Sequence, residues 1–508
     1  MRRAAGQLMR VAQRSAEEYW PGLLGLFVFV VALWAQPNAL VGVFYDDGIY
    51  AVLAKALAQG DGYRYIHMPG APPGVHYPPL YPAALSALWR LWPAFPQNVV
   101  LFQLFDSAAL GLAAGVIALH ARRWDVPSAA QYVALPLGFV AFPLLTLVGV
   151  RFSEPFFLAL MAGALLLADR SDVSLRTAVA AGALAGLAVL TRSIGIAVVA
   201  GIPLAFWLRG QRRQALVALA VASAMLLPWM LWLMAQGDAI DPRIASTYGT
   251  YFQRAGQTGA AGLLGGIDFG TLGPLADLAL PAAPPWLWYP LAALLGGAVV
   301  WGAVAVAPRV PAFVASIGFY LLLVTVWPFR PDRFVWIVVP WMALLGAAGA
   351  VAAWRRGGLF RVGVIILAVA AATGYPRREF VSLVDRRFAA TAEGISQPFR
   401  VLVPAIAAEL PANAVLAGED EALLYLYTGR LAVPSYLFHA IGGTAEPFPA
   451  DSAIEFFCKM GVTNLALSGA RVPAAPLVGR LFERGDSTVV SLFHVTDGPS
   501  MFRFRCPA

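Results

Sequence analysis

Long apolar runs dominate the first 374 residues of the chain, and short polar or charged stretches separate them. A membrane-spanning helix needs roughly 20 apolar residues, and about 17 to 25 are tolerated. This rule predicts about eleven spans, although 155–168 is short and 175–208 is one run that we divide at Thr191-Arg192. The predicted spans are 20–36, 98–120, 129–149, 155–168, 175–191, 193–208, 214–234, 285–306, 311–328, 334–353 and 359–374.

The positions of the arginines predict the orientation of these spans. Cytoplasmic loops of membrane proteins carry an excess of Lys and Arg. With the N-terminus inside, the inside loops contain Arg122-Arg123, Arg209 with Arg212-Arg213, Arg309, and Arg355-Arg356 with Arg361. The alternate loops, including the long 235–284 connection, then lie outside. An odd number of spans places the C-terminal segment outside as well.

The composition changes at about residue 375. Residues 375–508 are richer in charge and contain only short apolar runs, none long enough to span a membrane. We therefore predict an all-α polytopic membrane domain over 1–374, which includes an outer loop at 37–97, and a small extracytoplasmic α/β domain over 375–508. Both cysteines, Cys458 and Cys506, lie in the second domain, where a disulfide and two buried free thiols are both consistent with the sequence.

Overall composition agrees with a membrane protein, since 59% of the 508 residues are hydrophobic and only 13% are charged. The formal charge of +8 does not indicate nucleic-acid binding, because the arginines cluster in short loops between apolar runs. The basic N-terminus and first apolar run are similar to a signal peptide. No small-residue cleavage site follows, so we interpret this run as an uncleaved first span.

Candidate chemistry begins with Asp46-Asp47, just past the first apolar run. Acids beside the hydrocarbon region are costly and usually mark a functional site. Other charged residues lie at the ends of apolar runs on the predicted outer face, and a helical bundle could bring them to one cavity. They include Arg151, Glu154, Arg192, Arg330 and Arg333. Arginine binds phosphate bidentately and a carboxylate can deprotonate an acceptor, so the pattern favours chemistry on a phosphate-bearing lipid.

Simpler structural roles compete for the same residues. The aspartate pair could cap the helix that begins near Gly48, and Glu154 could mark a helix start before Pro155. The arginines could be boundary residues that extend to the membrane surface. His67 and His76 are typical of loop hydrogen-bonding residues, and no spacing supports a metal site.

Several motifs together resemble the GT-C glycosyltransferases, a group that includes protein O-mannosyltransferases and the lipid A aminoarabinose transferase. Asp46-Asp47 with Tyr50 resembles the family's acid pair in the first outer loop, and Lys55 lies in the amphipathic helix that follows there. Pro78 to Pro82, with Tyr81, resembles its Pro-Pro-Leu-Tyr-Pro element, although His76-Tyr77 stands where the family often has Lys. Looser matches are Arg151 to Pro155, Leu190 to Ser193, Arg333-Phe334 with Pro340, and Tyr427 to Arg430.

The resemblance implies an inverting glycosyltransferase with a polyprenyl-phosphate-linked monosaccharide as donor. Asp46 would be the general base, with Asp47 and Glu154 as further catalytic residues. An extracytoplasmic protein, lipid or glycan would be the acceptor. The implied substrate-binding residues are Tyr50, Lys55, His76, Tyr77, Tyr81, Arg151, Arg192, Arg330 and Arg333. No cofactor is implied, although a divalent cation bound by acids stays open because some relatives use one.

Two other functions remain as alternatives. A transporter or flippase would place polar groups near the midplane of broken helices and often has repeated halves, whereas here the ionisable groups gather at one face. A non-catalytic scaffold with a degenerate transferase fold would have no need to retain Asp46. The alanine, arginine and tryptophan content is typical of a bacterial protein, so we predict a location in the bacterial inner membrane.

Overall fold

The computed structural model describes residues 2–251, 253, 269–326, 332–441, 444–469, 471–483, 489–496 and 498–507. The chain divides into two compact units. The first comprises Met1–Gln36, Gln103–Leu227 and Ile267–Phe388, and the second comprises Pro37–Phe102, Pro228–Gly266 and Ala389–Ala508. We describe each unit by itself.

The described residues of the first unit form helices joined by short turns and loops, and they include no strand. The helices that lie wholly or mostly in it are Arg2–Trp34, Val99–Ala121, Ser128–Phe139, Phe142–Gly149, Glu154–Ala168, Leu175–Thr191, Ile196–Leu208, Arg212–Gln236, Gly273–Ala279, Pro285–Val306, Pro311–Thr325, Asp332–Ile337, Val339–Arg356 and Leu359–Val384. Each of the eleven predicted spans is therefore mostly helical over its described residues. The predicted domain boundary at residue 374 falls inside the last of these helices.

Five described helices are long and apolar enough to cross a membrane. They are Glu17–Trp34, Val99–Ala121, Arg212–Ala239, Pro285–Val306 and Leu359–Val384. The pair Ser128–Phe139 and Phe142–Gly149, bent by 48°, gives a sixth candidate if it is counted as one span. Four further apolar helices are shorter, at 10–17 residues. The chain is thus an integral membrane protein, while the number of eleven spans stays a prediction.

Small residues allow the helices Pro285–Val306 and Val339–Arg356 to pack with their backbones almost in contact. A Cβ atom added to Gly349 would overlap the carbonyl oxygen of Ala298, and one added to Gly302 would overlap that of Leu345. Small residues at helix interfaces are a common basis of packing in membranes, where apolar side chains gain little by leaving lipid.

A buried carboxylate joins several helix ends in the first unit. Asp169 accepts the backbone N–H groups of Ala312 and Phe313 at 2.8 and 3.0 Å. It also accepts a hydrogen bond from His120 Nε2 at 3.1 Å and lies 3.5 Å from an Arg209 nitrogen. These two N–H groups begin a helix and have no partner within it, so Asp169 acts as its cap.

The second unit combines the loop of residues 37–97 with a small α/β domain. Its helices are Asp46–Gln59, Leu80–Leu91, Ala245–Tyr248, Arg387–Glu409, Glu421–Thr428, Ala450–Lys459 and Ala475–Glu483. Its strands are β1 Val415–Gly418, β2 Leu431–Pro434, β3 Phe438–Ile441, β4 Thr444–Pro447, β5 Asn464–Leu467, β6 Val489–His494 and β7 Ser500–Phe504. The predicted small C-terminal α/β region is confirmed.

The main sheet has the order β2-β1-β5-β7-β6. β1 pairs in parallel with β2 and β5, whereas β7 is antiparallel to β5 and β6. β3 and β4 form a separate antiparallel pair. β1 and β5 lie inside the sheet and are almost wholly buried, which explains their continuous apolar sequences. Cys458 and Cys506 form a disulfide, which decides between the two alternatives left by the sequence.

We predict that Asp169→Asn destabilises the protein. The change removes the charge that His120 and Arg209 face and replaces one acceptor by a donor, so it should lower the free energy of unfolding by about 3 kcal/mol. The measurement is the thermal unfolding midpoint of the purified protein in detergent. Asp172→Asn is the control, because its exposed side chain makes only a loose 3.9 Å pair with Arg170. Equal midpoints for the two variants would contradict this role of Asp169.

Candidate functional site

The aspartate pair lies at the first two positions of helix Asp46–Gln59, and the two acids have different surroundings. Asp47 is only 2% exposed and accepts the backbone N–H groups of Gly42 at 2.6 Å and Phe44 at 3.0 Å. Its carboxylate therefore holds the preceding turn together. Tyr45, inside that turn, has φ 66°, a left-handed conformation that is uncommon for a residue with a Cβ atom. This geometry favours a structural role for Asp47.

Asp46 is partly exposed and is oriented by a tyrosine. The Tyr77 hydroxyl donates a hydrogen bond to Asp46 Oδ1 at 2.5 Å. Burial, and then the charge of Asp46, raise the pKa of Tyr77 well above its usual value, so the hydroxyl stays protonated as a donor. The Tyr50 ring lies edge-on to Tyr77 and Tyr81, with centroids 4.9 and 5.0 Å away. Four predicted site residues, Asp46, Tyr50, Tyr77 and Tyr81, thus form one cluster. Asp46 supplies the carboxylate of this cluster.

His76 borders this cluster, whereas Lys55 does not. The His76 ring is buried, lies 4.6 Å from that of Tyr77, and donates from Nδ1 to the Gly249 carbonyl at 2.7 Å. Lys55 follows Asp46 by nine residues (55 − 46), about two and a half helical turns, and so lies on the opposite face of the helix. Its ammonium lies 3.2 Å from the Tyr425 hydroxyl and 4.4 Å from the centre of that ring.

Three acids that the sequence analysis did not select lie beside the Asp46 turn. Glu419, Asp420 and Glu421 directly follow β1. The next residues pack closely on the turn, because a Cβ atom on Gly42 would lie 2.7 Å from Leu423 Cβ. The acids come after a short apolar run that ends in glycine, and side chains at the carboxyl end of a parallel strand often form sites. Their position directly after this strand is the sequence signal that could have identified these three acids.

Glu421 belongs to a buried hydrogen-bonded chain. The Tyr248 hydroxyl donates to its Oε1, and His67 Nε2 lies 3.0 Å from the same hydroxyl. Burial raises the pKa of Glu421 to about 7, although the Tyr248 hydrogen bond opposes this shift. Burial lowers the pKa of His67 to about 3, so this ring is neutral.

The neighbouring acids are also harder to ionise. Burial raises the pKa of Glu419 to about 7 and raises that of Asp420 well above its usual value. The charges of Glu421, Asp47 and Glu419 add to the effect on Asp420. Five carboxyl groups therefore share this part of the second unit, and near neutral pH the acids beside β1 are held partly as neutral acids.

A second cluster lies in the first unit, around Glu154. This side chain is fully buried at the first position of helix Glu154–Ala168. Arg333 donates from Nε and Nη2 to Glu154 Oε1, both at 3.0 Å, and Arg192 Nη1 lies 2.9 Å from Oε2. Arg192 also donates to Ser153 Oγ at 3.1 Å. Glu154 thus fixes two arginines from distant parts of the chain, which favours a positioning role over proton transfer.

An aromatic ring contacts Arg333, and a third arginine directly precedes that ring in the chain. The guanidinium carbon of Arg333 lies 3.7 Å from the centre of the Phe152 ring, within the range of a cation–π contact. Arg151 is almost completely buried in a break between helices and has φ 55°. Glu154, Arg192 and Arg333 together therefore carry a formal net charge of +1 (2 − 1). Such a cluster suits an anion such as a phosphate.

Some of the residues considered in the sequence analysis are not described by the structure, and the possible metal site needs a separate statement. Arg330 and residues 254–268 of the long 235–284 connection lie outside the described residues. Among the described residues, no group of three or more His, Cys, Asp and Glu has a geometry that could hold a metal ion.

Solved structures with a similar fold cover nearly the whole chain. ArnT from Cupriavidus metallidurans bound to undecaprenyl phosphate matches with a TM-score of 0.58 and 15% identity over 95% of this chain and 97% of that one. Its apo state matches with a TM-score of 0.57 and 16% identity, over 97% and 98% of the two chains.

A more distant match is the archaeal oligosaccharyltransferase AglB from Archaeoglobus fulgidus, in complex with an inhibitory peptide and a dolichol-phosphate. It has a TM-score of 0.52 and 13% identity, over 97% of this chain and 75% of that one. No protein-family profile and no curated protein sequence matches the chain. At these identities the comparisons show that the chain shares the fold of ArnT and AglB, and they confirm the expected resemblance at the level of the fold.

We predict that stability falls as the pH rises from about 5 to 8. The folded-state pKa of Glu421, about 7, exceeds the usual value of about 4.3, so the folded protein binds more protons than the unfolded one in this window. Glu421→Gln mimics the protonated acid and should flatten the decline. The thermal midpoint in detergent, measured from pH 5 to 8, tests this. Glu446→Gln, at an exposed acid on β4, should keep the wild-type slope, and an identical slope in all three proteins would refute the assignment.

Proposed function

We propose that the protein is an inverting glycosyltransferase that moves a monosaccharide from a polyprenyl-phosphate donor to an extracytoplasmic acceptor, with Asp46 as general base. The observation that carries this proposal is the Asp46–Tyr77 pair. A partly exposed carboxylate stands at a helix start, one of its oxygens is held by a buried tyrosine, and the adjacent Asp47 maintains the turn. A general base needs such a fixed yet accessible position.

The proposed reaction is a single displacement. Asp46 takes the proton from the acceptor hydroxyl or amine, and the acceptor atom forms a bond to the anomeric carbon of the sugar. The bond from that carbon to the phosphate oxygen breaks, and polyprenyl phosphate leaves with the electron pair. One base suffices and no covalent intermediate is required, because the lipid phosphate is already a good leaving group.

The cluster around Glu154 is suited to the phosphate of the donor. Negative charge increases on the leaving phosphate, and arginines fixed in advance stabilise such charge without reorganising. Arg192 and Arg333 are the leading phosphate ligands, Arg151 is a further candidate, and Glu154 is a positioning residue. Arg333 has the most restrained guanidinium, since Glu154 and the Phe152 ring both hold it.

The comparisons support the class of donor. The structure of ArnT contains undecaprenyl phosphate and that of AglB contains a dolichol-phosphate, both polyprenyl phosphates. The identity of the sugar and the class of acceptor, whether protein, lipid or glycan, are further parts of the proposal that only activity can decide. Tyr50, His76, Tyr77 and Tyr81 are the residues that we assign to the sugar and acceptor around Asp46.

The disulfide supports the proposed location. Disulfides persist in oxidising compartments such as the bacterial periplasm and are rare in the cytosol. The Cys458–Cys506 bond therefore favours a C-terminal domain outside the cytoplasm, as the arginine distribution predicts. We propose an inner-membrane protein with a cytoplasmic N-terminus and with Asp46 on the outer side.

We predict that Asp46→Asn lowers sugar transfer at least 100-fold, since general-base catalysis contributes roughly 100- to 10,000-fold. Tyr77→Phe should lower it less, because it removes only the hydrogen bond that orients the base. The measurement is the rate of transfer from labelled donor in reconstituted vesicles. Asp61→Asn, at an exposed acid of the same loop, should retain the wild-type rate. A wild-type rate in Asp46→Asn would exclude Asp46 as the base.

We also predict that Arg333→Gln raises the half-saturating donor concentration about tenfold or more, because a charge-assisted phosphate contact is lost. Arg333→Lys should have an intermediate effect, since lysine keeps the charge but not the two-pronged geometry. Arg176→Gln, at an exposed arginine, is the control. Thermal unfolding of each variant checks that the loss of the Arg333 contact to Glu154 has not destabilised the fold. An unchanged half-saturating donor concentration in a folded Arg333→Gln variant would remove Arg333 from the phosphate site.

A further inference from the structure

A half-open cavity of about 460 Å³ lies in the second unit, on the face of helix Asp46–Gln59 that is opposite to Asp46. Its volume is within the usual range for small-ligand sites, roughly 300 to 1,000 Å³. Lys55, Gln59 and Arg90 supply its polar lining, and Trp89 and Phe95 form part of its wall. The rings of Trp89 and Phe95 stack with centroids 5.5 Å apart, which makes that wall flat and rigid.

The cavity has a positive character. Arg90 uses one nitrogen, Nη2, to donate to the Leu57 carbonyl at 2.7 Å. A guanidinium has five N–H donors, so this bond leaves donor capacity beside the cavity. Lys55 is held by Tyr425, and burial lowers its pKa while the nearby Asp61 carboxylate raises it. Two cations and an amide thus line the space, with Asp61 as the acid close enough to act on Lys55.

An exposed apolar rim continues from the cavity to a membrane-spanning helix. Leu91 is 77% exposed and Trp92 is 41% exposed, although both directly follow the lining residue Arg90. A few residues after Phe95, the chain enters Val99–Ala121, one of the helices long enough to span the bilayer. Exposed Trp and Leu next to the start of a span are typical of the membrane interface.

We propose that this cavity binds the phosphate headgroup of an anionic membrane lipid, with the acyl chains along the rim formed by Leu91 and Trp92. Two features of a protein favour binding of such a headgroup. They are cations that face the lipid phosphate and aromatic rings at the membrane interface. The site is separate from the proposed catalytic cluster. The inference does not depend on the proposed transferase activity, because its test measures binding alone.

The test titrates the purified full chain in neutral detergent with phosphatidylglycerol and counts bound lipids by native mass spectrometry. Gln59 is exposed at the last position of its helix, so its charge can be changed with little risk to folding. Gln59→Glu should weaken phosphatidylglycerol binding about fivefold by placing an acid at the cavity, and Gln59→Lys should strengthen it. Gln397→Glu, the same change at an exposed position on helix Arg387–Glu409, should have no effect.

Two further arms decide the source of the phosphate. Phosphatidylcholine, which has no net charge, should bind more weakly than phosphatidylglycerol and should not respond to Gln59→Glu. Glycerol phosphate, which lacks acyl chains, should not displace the bound lipid at equal concentration. Equal phosphatidylglycerol binding by wild type, Gln59→Glu and Gln59→Lys would overturn the proposal. Displacement by glycerol phosphate at equal concentration would also overturn it, because the ligand would then be a soluble phosphate ester.

Discussion

The hydrogen bonds from the backbone of Gly42 and Phe44 to the Asp47 carboxylate are the constraint on which the candidate site depends. They close the turn that precedes helix Asp46–Gln59 and allow Tyr45 to occupy a left-handed conformation. The turn in turn places Asp46 at the first helical position, within reach of the Tyr77 hydroxyl. The two adjacent aspartates therefore have different roles, since Asp47 maintains the backbone turn and Asp46 presents a partly exposed carboxylate.

The same principle recurs at two other buried acids. Glu154 orders two arginines, and Asp169 caps a helix while it pairs with His120 and Arg209. A buried carboxylate is costly without partners, so each one requires several donors to converge on it. In this protein that requirement positions groups from distant segments, and the GT-C fold supplies the helix ends at which these acids lie.

Apolar periodicity and charge were sufficient to predict the helical segments and a small C-terminal α/β region, whereas the family resemblance grouped Asp46 with nearby tyrosines. They did not predict the distances between distant segments. Glu419 to Glu421 lie more than 370 residues from Asp46 in sequence, and tertiary packing such as that of Leu423 on Gly42 places them beside the turn. Lys55 could have been assigned to the far side of its helix from periodicity alone. The partners of Glu154 depend on tertiary contacts that no local pattern encodes.

The most direct test of the account uses a donor labelled in both halves. Purified protein in vesicles would receive a panel of polyprenyl-phosphate sugars with tritium in the sugar and ³²P in the phosphate, together with a membrane extract as acceptor. The account predicts that, for one donor, tritium moves to the acceptor with an inverted anomeric configuration while ³²P stays in polyprenyl monophosphate. If both labels cross the membrane together on an intact donor, the protein is a lipid transporter and the central claim is wrong.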